Sequence, residues 1–179
     1  LLSARRLHRL PGAVEALRTS LDGRTWLAQA AGAITVWKGE QRAGIENVGR
    51  GAVELSLDGR FVLLMHRDGS VDVYEPWTNA VSPVRTLAVG NELGFVVPLP
   101  GHRLCTVCPE AKARHPLMVW DLETGNGEAH RVDGLPSCVT WLDDQSYVVG
   151  TMDAKMTIRR LDTGKLVGKL YGWENHDGG

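Results

Sequence analysis

Apolar residues in this chain come in short runs cut by polar turns, and the clearest example is Ser56 to Tyr74, SLDGRFVLLMHRDGSVDVY. Asp58-Gly59 marks a tight turn, Phe61 to Met65 is continuously apolar, Asp68-Gly69 marks a second turn, and Val71 and Val73 alternate with Asp72 before Tyr74. Two Asp-Gly steps around a short apolar run predict hairpins, because two-residue primed turns need a positive φ that Asp and Gly tolerate. The pattern predicts three consecutive short strands. No segment keeps a helical period over a useful length, so helix is expected to be nearly absent.

The same pattern recurs. Ser20-Leu21-Asp22-Gly23-Arg24 returns word for word as Ser56-Leu57-Asp58-Gly59-Arg60, 36 residues on, and the closing aromatic moves in step from Trp37 to Tyr74, 37 residues on. Two landmarks agree on one period, which makes this a repeat. A third unit uses Phe95-Val96-Val97, a Pro100-Gly101 turn, Arg103 to Val107, and Leu117 to Asp121; its second turn is swollen into Cys108 to Pro116, CPEAKARHP. A fourth runs from Cys138 to Trp141 through Asp143-Asp144 and Tyr147 to Val149, ending on Met156 to Arg159 with Arg159 in the aromatic slot.

Stretches suited to a fourth strand follow each unit: Gly44 to Val48, Val84 to Val89, Glu128 to Val132 and Lys165 to Tyr171. Four strands per repeat of this length is the pattern of propeller blades. The fold class expected is all-β, a β-propeller of four-stranded antiparallel blades, about four of them in this chain, with units at 13–50, 51–91, 92–134 and 135–172.

The units resemble WD (Trp-Asp) repeats: a DGR turn after the first strand, an Asp-Gly turn after the second, and an apolar-x-apolar-Trp strand, written most fully as MVWDLETG at Met118 to Gly125. The resemblance runs from Val14 to Tyr171. The family's Gly-His step before the first strand is missing from all four units, since Gly101-His102 sits in a different turn, and the family's hydrogen-bond chain of His, Ser, Asp and Trp is therefore incomplete here. The resemblance implies a binding module that works through loops and the mouth of the central channel, without chemistry of its own.

Composition narrows the classes. Hydrophobic residues make up 43% of the 179-residue chain, and its mean hydropathy is −0.15. No apolar run approaches the roughly 18 residues that span a bilayer, so no membrane association is expected. Lys plus Arg number 20 against 21 Asp plus Glu, a formal charge of −1, without the clustered basic excess of a nucleic-acid binder. The one basic cluster, Arg5, Arg6, His8 and Arg9, reads as solvated chain. Three cysteines and no secretory signal point to reduced thiols in a cytoplasmic setting.

The ends predict an unfinished ring. The chain starts at Leu1 without Met. Arg6 to Gly12 resembles the outer strand of a preceding blade, and Gly172 to Gly179 the lead-in to a fifth. Propellers usually hold about 4 to 8 blades, so the expectation is part of a larger ring, completed by another chain, a separate segment or a second copy. A closed four-blade ring is the alternative.

Candidate chemistry is sparse. Cys105-Thr106-Val107-Cys108 is a lone CxxC at a strand end; a zinc or redox role competes with a buried cysteine filling a blade face, and the second is favoured. His102, His115, His130 and His176 fall in or near loops, without a second ligand at enforcing spacing. Asp22, Asp58, Asp68 and Asp153 recur with the period of the fold, which argues for turn geometry. Trp37 and Trp120 are expected between blades and Trp26 and Trp141 in blade cores, while Trp77 and Trp173 have no slot in the repeat. Trp77 is therefore a candidate binding anchor. The inserted loop, with Glu110, Lys112, Arg114 and His115, is the first choice for a partner contact, because insertions on a rigid frame carry recognition.

The sequence thus predicts a non-catalytic protein-interaction or scaffolding module, the recognition or sensor part of a larger multidomain protein. It predicts a protein partner and no catalytic, cofactor or metal residue. The competing class is an enzyme or ligand-binding propeller with a site in the central channel; the inter-unit positions Ala13, Gly51, Leu93 and Ser137 are neutral.

Overall fold

The apolar runs form strands because polar turns bound each one and because their apolar faces are buried against a neighbouring sheet. The computed structural model describes residues 12–46, 48, 51–78, 82–90, 93–108 and 117–170. Among them, sixteen strands form four antiparallel four-stranded sheets, each in chain order. The first sheet holds β1 (Val14–Thr19), β2 (Thr25–Ala30), β3 (Ala33–Lys38) and β4 (Gln41–Ile45). The second holds β5 (Ala52–Leu55), β6 (Val62–Met65), β7 (Ser70–Tyr74) and β8 (Arg85–Ala88). The third holds β9 (Phe95–Leu99), β10 (Arg103–Val107), β11 (Leu117–Asp121) and β12 (Gly127–Ala129). The fourth holds β13 (Pro136–Asp143), β14 (Ser146–Thr151), β15 (Met156–Arg160) and β16 (Leu166–Leu170). The helical content among the described residues is one 3-10 turn, Pro76–Thr78.

Each sheet packs on the next. Leu27, Ile34 and Val36 of the first sheet meet Val53, Leu55, Val62, Leu64 and Tyr74 of the second. The opposite face of the second sheet, Phe61, Leu63, Val71 and Val73, meets Val96, Leu104 and Trp120. The far face of the third, Cys105, Val107, Leu117 and Val119, meets Val139, Tyr147 and Val149. Because β6 is covered on both sides, Val62-Leu63-Leu64 reads as a continuous apolar run instead of alternating. The first strands β1, β5, β9 and β13 neighbour one another in that order, and Arg18 of β1 reaches Glu54 of β5 at 2.8 Å.

The aromatic slot explains its own drift. Tyr74, Trp120 and Arg159 pair with Val62, Leu104 and Tyr147 across their hairpins, on the face that looks at the preceding sheet. Trp37 pairs with Trp26 and faces away from the second sheet, the two rings stacked at 4.1 Å and 14°. In the third sheet Trp120 Nε1 donates to Thr106 Oγ1 at 2.9 Å, both side chains buried. In the fourth, buried Arg159 donates to the Gly164 carbonyl at 2.9 Å and to Thr157 Oγ1 at 3.3 Å.

Two expectations are corrected. The Asp-Gly turns are not two-residue primed turns: the last pair before the Asp58 turn is Leu55 with Val62, and the loop closes through Ser56 N–H to the Phe61 carbonyl. The longer loop follows from the Ser and Asp side chains, which hydrogen-bond within it. The outer strands β4 and β12 begin earlier than Gly44 and Glu128, because Lys38 pairs with Gln41 across a two-residue Gly39-Glu40 turn with Gly39 at φ +59° and Trp120 already pairs with Gly127. No helix among the described residues is long and apolar enough to cross a membrane.

Candidate functional site

The turns between first and second strands converge. Leu21 and Asp22 of the first sheet, Ser56, Leu57 and Asp58 of the second, Leu99 to His102 of the third, and Trp141 and Asp144 of the fourth line one cavity of about 420 Å3. Leu21 N–H donates to the Leu57 carbonyl at 2.7 Å, tying the first turn to the second. Its apolar walls are Leu21, Leu57, Leu99, Pro100 and Trp141, and its polar groups are mostly carboxylates.

Two of those carboxylates are built into the turns. Ser20 Oγ donates to Asp22 Oδ1 at 2.7 Å, Arg24 N–H donates to the same oxygen at 3.0 Å, and Thr25 N–H donates to Ser20 Oγ at 3.0 Å. The second unit repeats this bracket with Ser56, Asp58, Arg60 and Phe61 at 2.6, 3.1 and 2.8 Å. Hydrogen bonding from Ser20 holds the Asp22 carboxyl below its usual range. Burial pushes Asp58 up, but the Ser56 and Arg60 hydrogen bonds and nearby His102 outweigh it, and the net direction is down. Asp144 sits in the fourth turn, exposed and without such a bracket.

One edge of the mouth is an ionic seam between the second and third sheets. His102, at φ +56°, places Nε2 2.8 Å from Asp58 and Nδ1 3.1 Å from Glu123. Arg60 reaches Glu75 at 2.7 Å, also pairs with Glu123, and lies over the Phe61 ring. Arg85 donates to the Leu122 carbonyl at 3.2 Å and to that of Glu123.

A second cavity of about 300 Å3 opens between the third and fourth sheets, where Arg103, Asp121, Glu128 and His130 face Leu161 and Asp162. His130 is 4% exposed, its Nδ1 2.7 Å from the Tyr147 hydroxyl. Burial holds the His130 imidazole below its ordinary range, and burial also pushes the Tyr147 phenol up.

Of the residues singled out from sequence, Trp77 lies in the Pro76–Thr78 turn, half-buried against the core between the first and second sheets. Its Nε1 is buried with no hydrogen-bond partner among the described residues. Glu110, Lys112, Arg114 and His115 lie outside the described residues, as do the Arg5 to Arg9 cluster, Trp173 and His176. Cys105 is fully buried in the core between the third and fourth sheets, and burial pushes its thiol up; Cys108 follows β10, which ends at Val107. Among the described residues no group of three or more His, Cys, Asp or Glu stands close enough to hold a metal ion. Ala13, Gly51, Leu93 and Ser137 lie at the starts of the first strands, whereas the mouth lies at their ends. Sequence reasoning missed Leu57, Leu99, Trp141 and Asp144 as a group; the signal available was that each lies at or just past the end of a first strand.

The chain matches no protein-family model, and no curated protein matches it.

Proposed function

We propose that this chain is part of a β-propeller of WD-like units and serves as a non-catalytic protein-interaction or scaffolding module whose contact surface is the four-turn mouth. One observation carries the reading: four turns from four sheets meet around one cavity of about 420 Å3 with leucine, proline and tryptophan walls and an acidic rim. An apolar concavity ringed by polar groups on a rigid frame is the form of an anchor pocket for a partner side chain. Asp22 and Asp58 are engaged in turn hydrogen bonds, which speaks for structure over acid-base chemistry.

The succession of sheets, with first strands side by side and a core at each junction, supports the propeller. The outward faces of the terminal sheets support a larger ring. Val14 and Leu17 on the first, and Met156 and Leu170 on the fourth, are 41 to 61% exposed, and another blade would cover them. A cytoplasmic setting goes with this reading, as the odd cysteine count of the sequence suggests.

Selection of displayed peptide libraries on the immobilised chain tests the proposal. Enriched peptides that bind wild type but not Leu57→Arg or Asp144→Lys, at unchanged thermal unfolding, support it. Enriched peptides that bind all three proteins equally sink it.

A further inference from the structure

The cavity between the third and fourth sheets is a site of its own, away from the mouth. Its floor follows from register. Arg103 and Asp121 are cross-strand partners on β10 and β11, Val119 and Glu128 are partners one step along the same face, and His130 comes next, its N–H donating to the Leu117 carbonyl. The fourth sheet supplies Leu161 and Asp162 from the turn after β15.

His130 is the unusual member. It is 96% buried in a cleft that opens to water, and it is clamped: a Cβ on Gly164 would fall 2.6 Å from its Cγ, so the glycine backbone lies flat against the ring. The Tyr147 hydroxyl has one proton to give, and Nδ1 of His130 is the acceptor within reach at 2.7 Å. Burial favours the neutral ring, and with Nδ1 accepting from the Tyr147 hydroxyl the ring proton is assigned to Nε2. That nitrogen has no hydrogen-bond partner among the described residues, and His130 lines the cleft. A donor that opens onto a water-filled cleft is met by water or by a ligand.

The rest of the lining decides the ligand class. Glu128 and the Arg103 guanidinium make no side-chain hydrogen bond or ion pair with described residues, whereas Asp162 is held by Arg160 at 2.9 and 3.0 Å. An anion here would meet Asp121, Glu128 and Asp162. A cation would meet Arg103 and an imidazole N–H. A neutral ligand whose groups each donate and accept meets both kinds, and hydroxyl is the group that does so. Val119 and Leu161 offer apolar wall to the C–H side of such a ligand. Among the described residues no aromatic ring other than His130 lines the cleft, which disfavours a nucleobase, since bases are held by stacking. A volume of about 300 Å3 is the low end for ligand pockets and suits one ring, not a chain of them.

We propose that this cleft binds a single sugar ring, with Glu128 accepting from its hydroxyls and Arg103 and His130 Nε2–H donating to them. The site is independent of the partner surface at the mouth.

Nitrogen-15 NMR of the intact chain, titrated with glucose, galactose and mannose and with their methyl glycosides, tests this. The expected result is saturable binding of at least one sugar, with a Kd of about 1 to 10 mM, shifting the His130 ring and Arg103 side-chain signals. Glu128→Gln and Arg103→Met each weaken it about tenfold or more while the spectrum elsewhere stays that of the folded chain. Equal binding of a sugar and its methyl glycoside assigns the site to a chain-terminal sugar, and loss on methylation assigns it to the free sugar. Absence of saturable shifts at His130 and Arg103 with every sugar up to about 100 mM overturns the proposal. So does binding of methylguanidinium or acetate at those residues where no sugar binds.

Discussion

Gly59, in the turn after β5, lies hard against Thr25 of the neighbouring sheet: a Cβ at position 59 would stand 2.4 Å from Thr25 Cβ, and the residue holds φ at +73°. Gly23 occupies the matching place in the first copy of the SLDGR word, at φ +69°, with nothing within 4 Å. One word of sequence therefore carries two different constraints. Gly23→Ala is expected to cost the left-handed strain alone, about 1 to 2 kcal/mol. Gly59→Ala adds an inter-sheet clash, for a total of about 2 to 5 kcal/mol. Urea unfolding of both variants checks this; equal losses would mean that the two sheets do not pack as described.

The Trp120–Thr106 hydrogen bond gives a second prediction. Thr106→Val keeps the shape but strands a buried indole N–H, which costs about 1 to 3 kcal/mol. In a Trp120→Phe background the same change is expected to cost much less, because no donor is left to strand. A double-mutant cycle by chemical denaturation reads the coupling, and additive losses would contradict the bond.

How stability depends on pH should separate His130 from the turn aspartates. Its folded pKa lies below the ordinary value of 6.5, with burial the largest cause; Arg159 and Arg103 push the same way, and Glu128 and Asp162 oppose. The unfolded chain then binds the proton more readily. The contribution is complete above about pH 6.5 and is lost as pH falls through that value toward the folded pKa, at no more than about 1.4 kcal/mol per pH unit. Asp22, Asp58 and Asp121 are depressed below 3.8, so their contributions are lost only as pH falls below that value. Urea midpoints at pH 7.5, 6.5 and 5.5 are expected to fall for wild type and to fall less for His130→Gln. Parallel profiles would remove His130 as the source.

The exposed faces of the terminal sheets predict self-association. Met156 and Leu170 are 41 and 42% exposed on the fourth sheet, and Leu17 is 61% exposed on the first. Isolated, the chain is expected to associate at concentrations where a combined Met156→Glu, Leu170→Glu variant stays monomeric. Sedimentation velocity decides it, and a wild-type monomer at high concentration would mean that these faces need no cover.

Much of the fold was legible because its punctuation is local. Ser20, Asp22, Ser56 and Asp58 close their own loops with their own side chains, so the turn and the period are written in the letters. Other turns carry no such mark. Ala31 at φ +52° precedes Gly32 at φ +74° in a two-residue turn where Asn would have announced it, and Ala154 at φ +61° stands where the second unit has Gly69 at φ +79°. The mouth was illegible for a different reason. Leu57, Leu99 and Trp141 lie some 40 residues apart and become neighbours only when β5, β9 and β13 stand side by side. The cleft was likewise hidden, since Arg159 could be seen to fill an aromatic slot, but not that its partner Tyr147 would fix the orientation of His130.

The central claim, a partner-binding mouth made by four turns, is tested most directly by amide hydrogen exchange with and without a selected peptide. The account predicts added protection at 20–24, 56–60, 99–103 and 141–145 together, with little change at 126–130 or 161–164. Protection confined to a single sheet, or falling on the cleft between the third and fourth sheets instead, would contradict it.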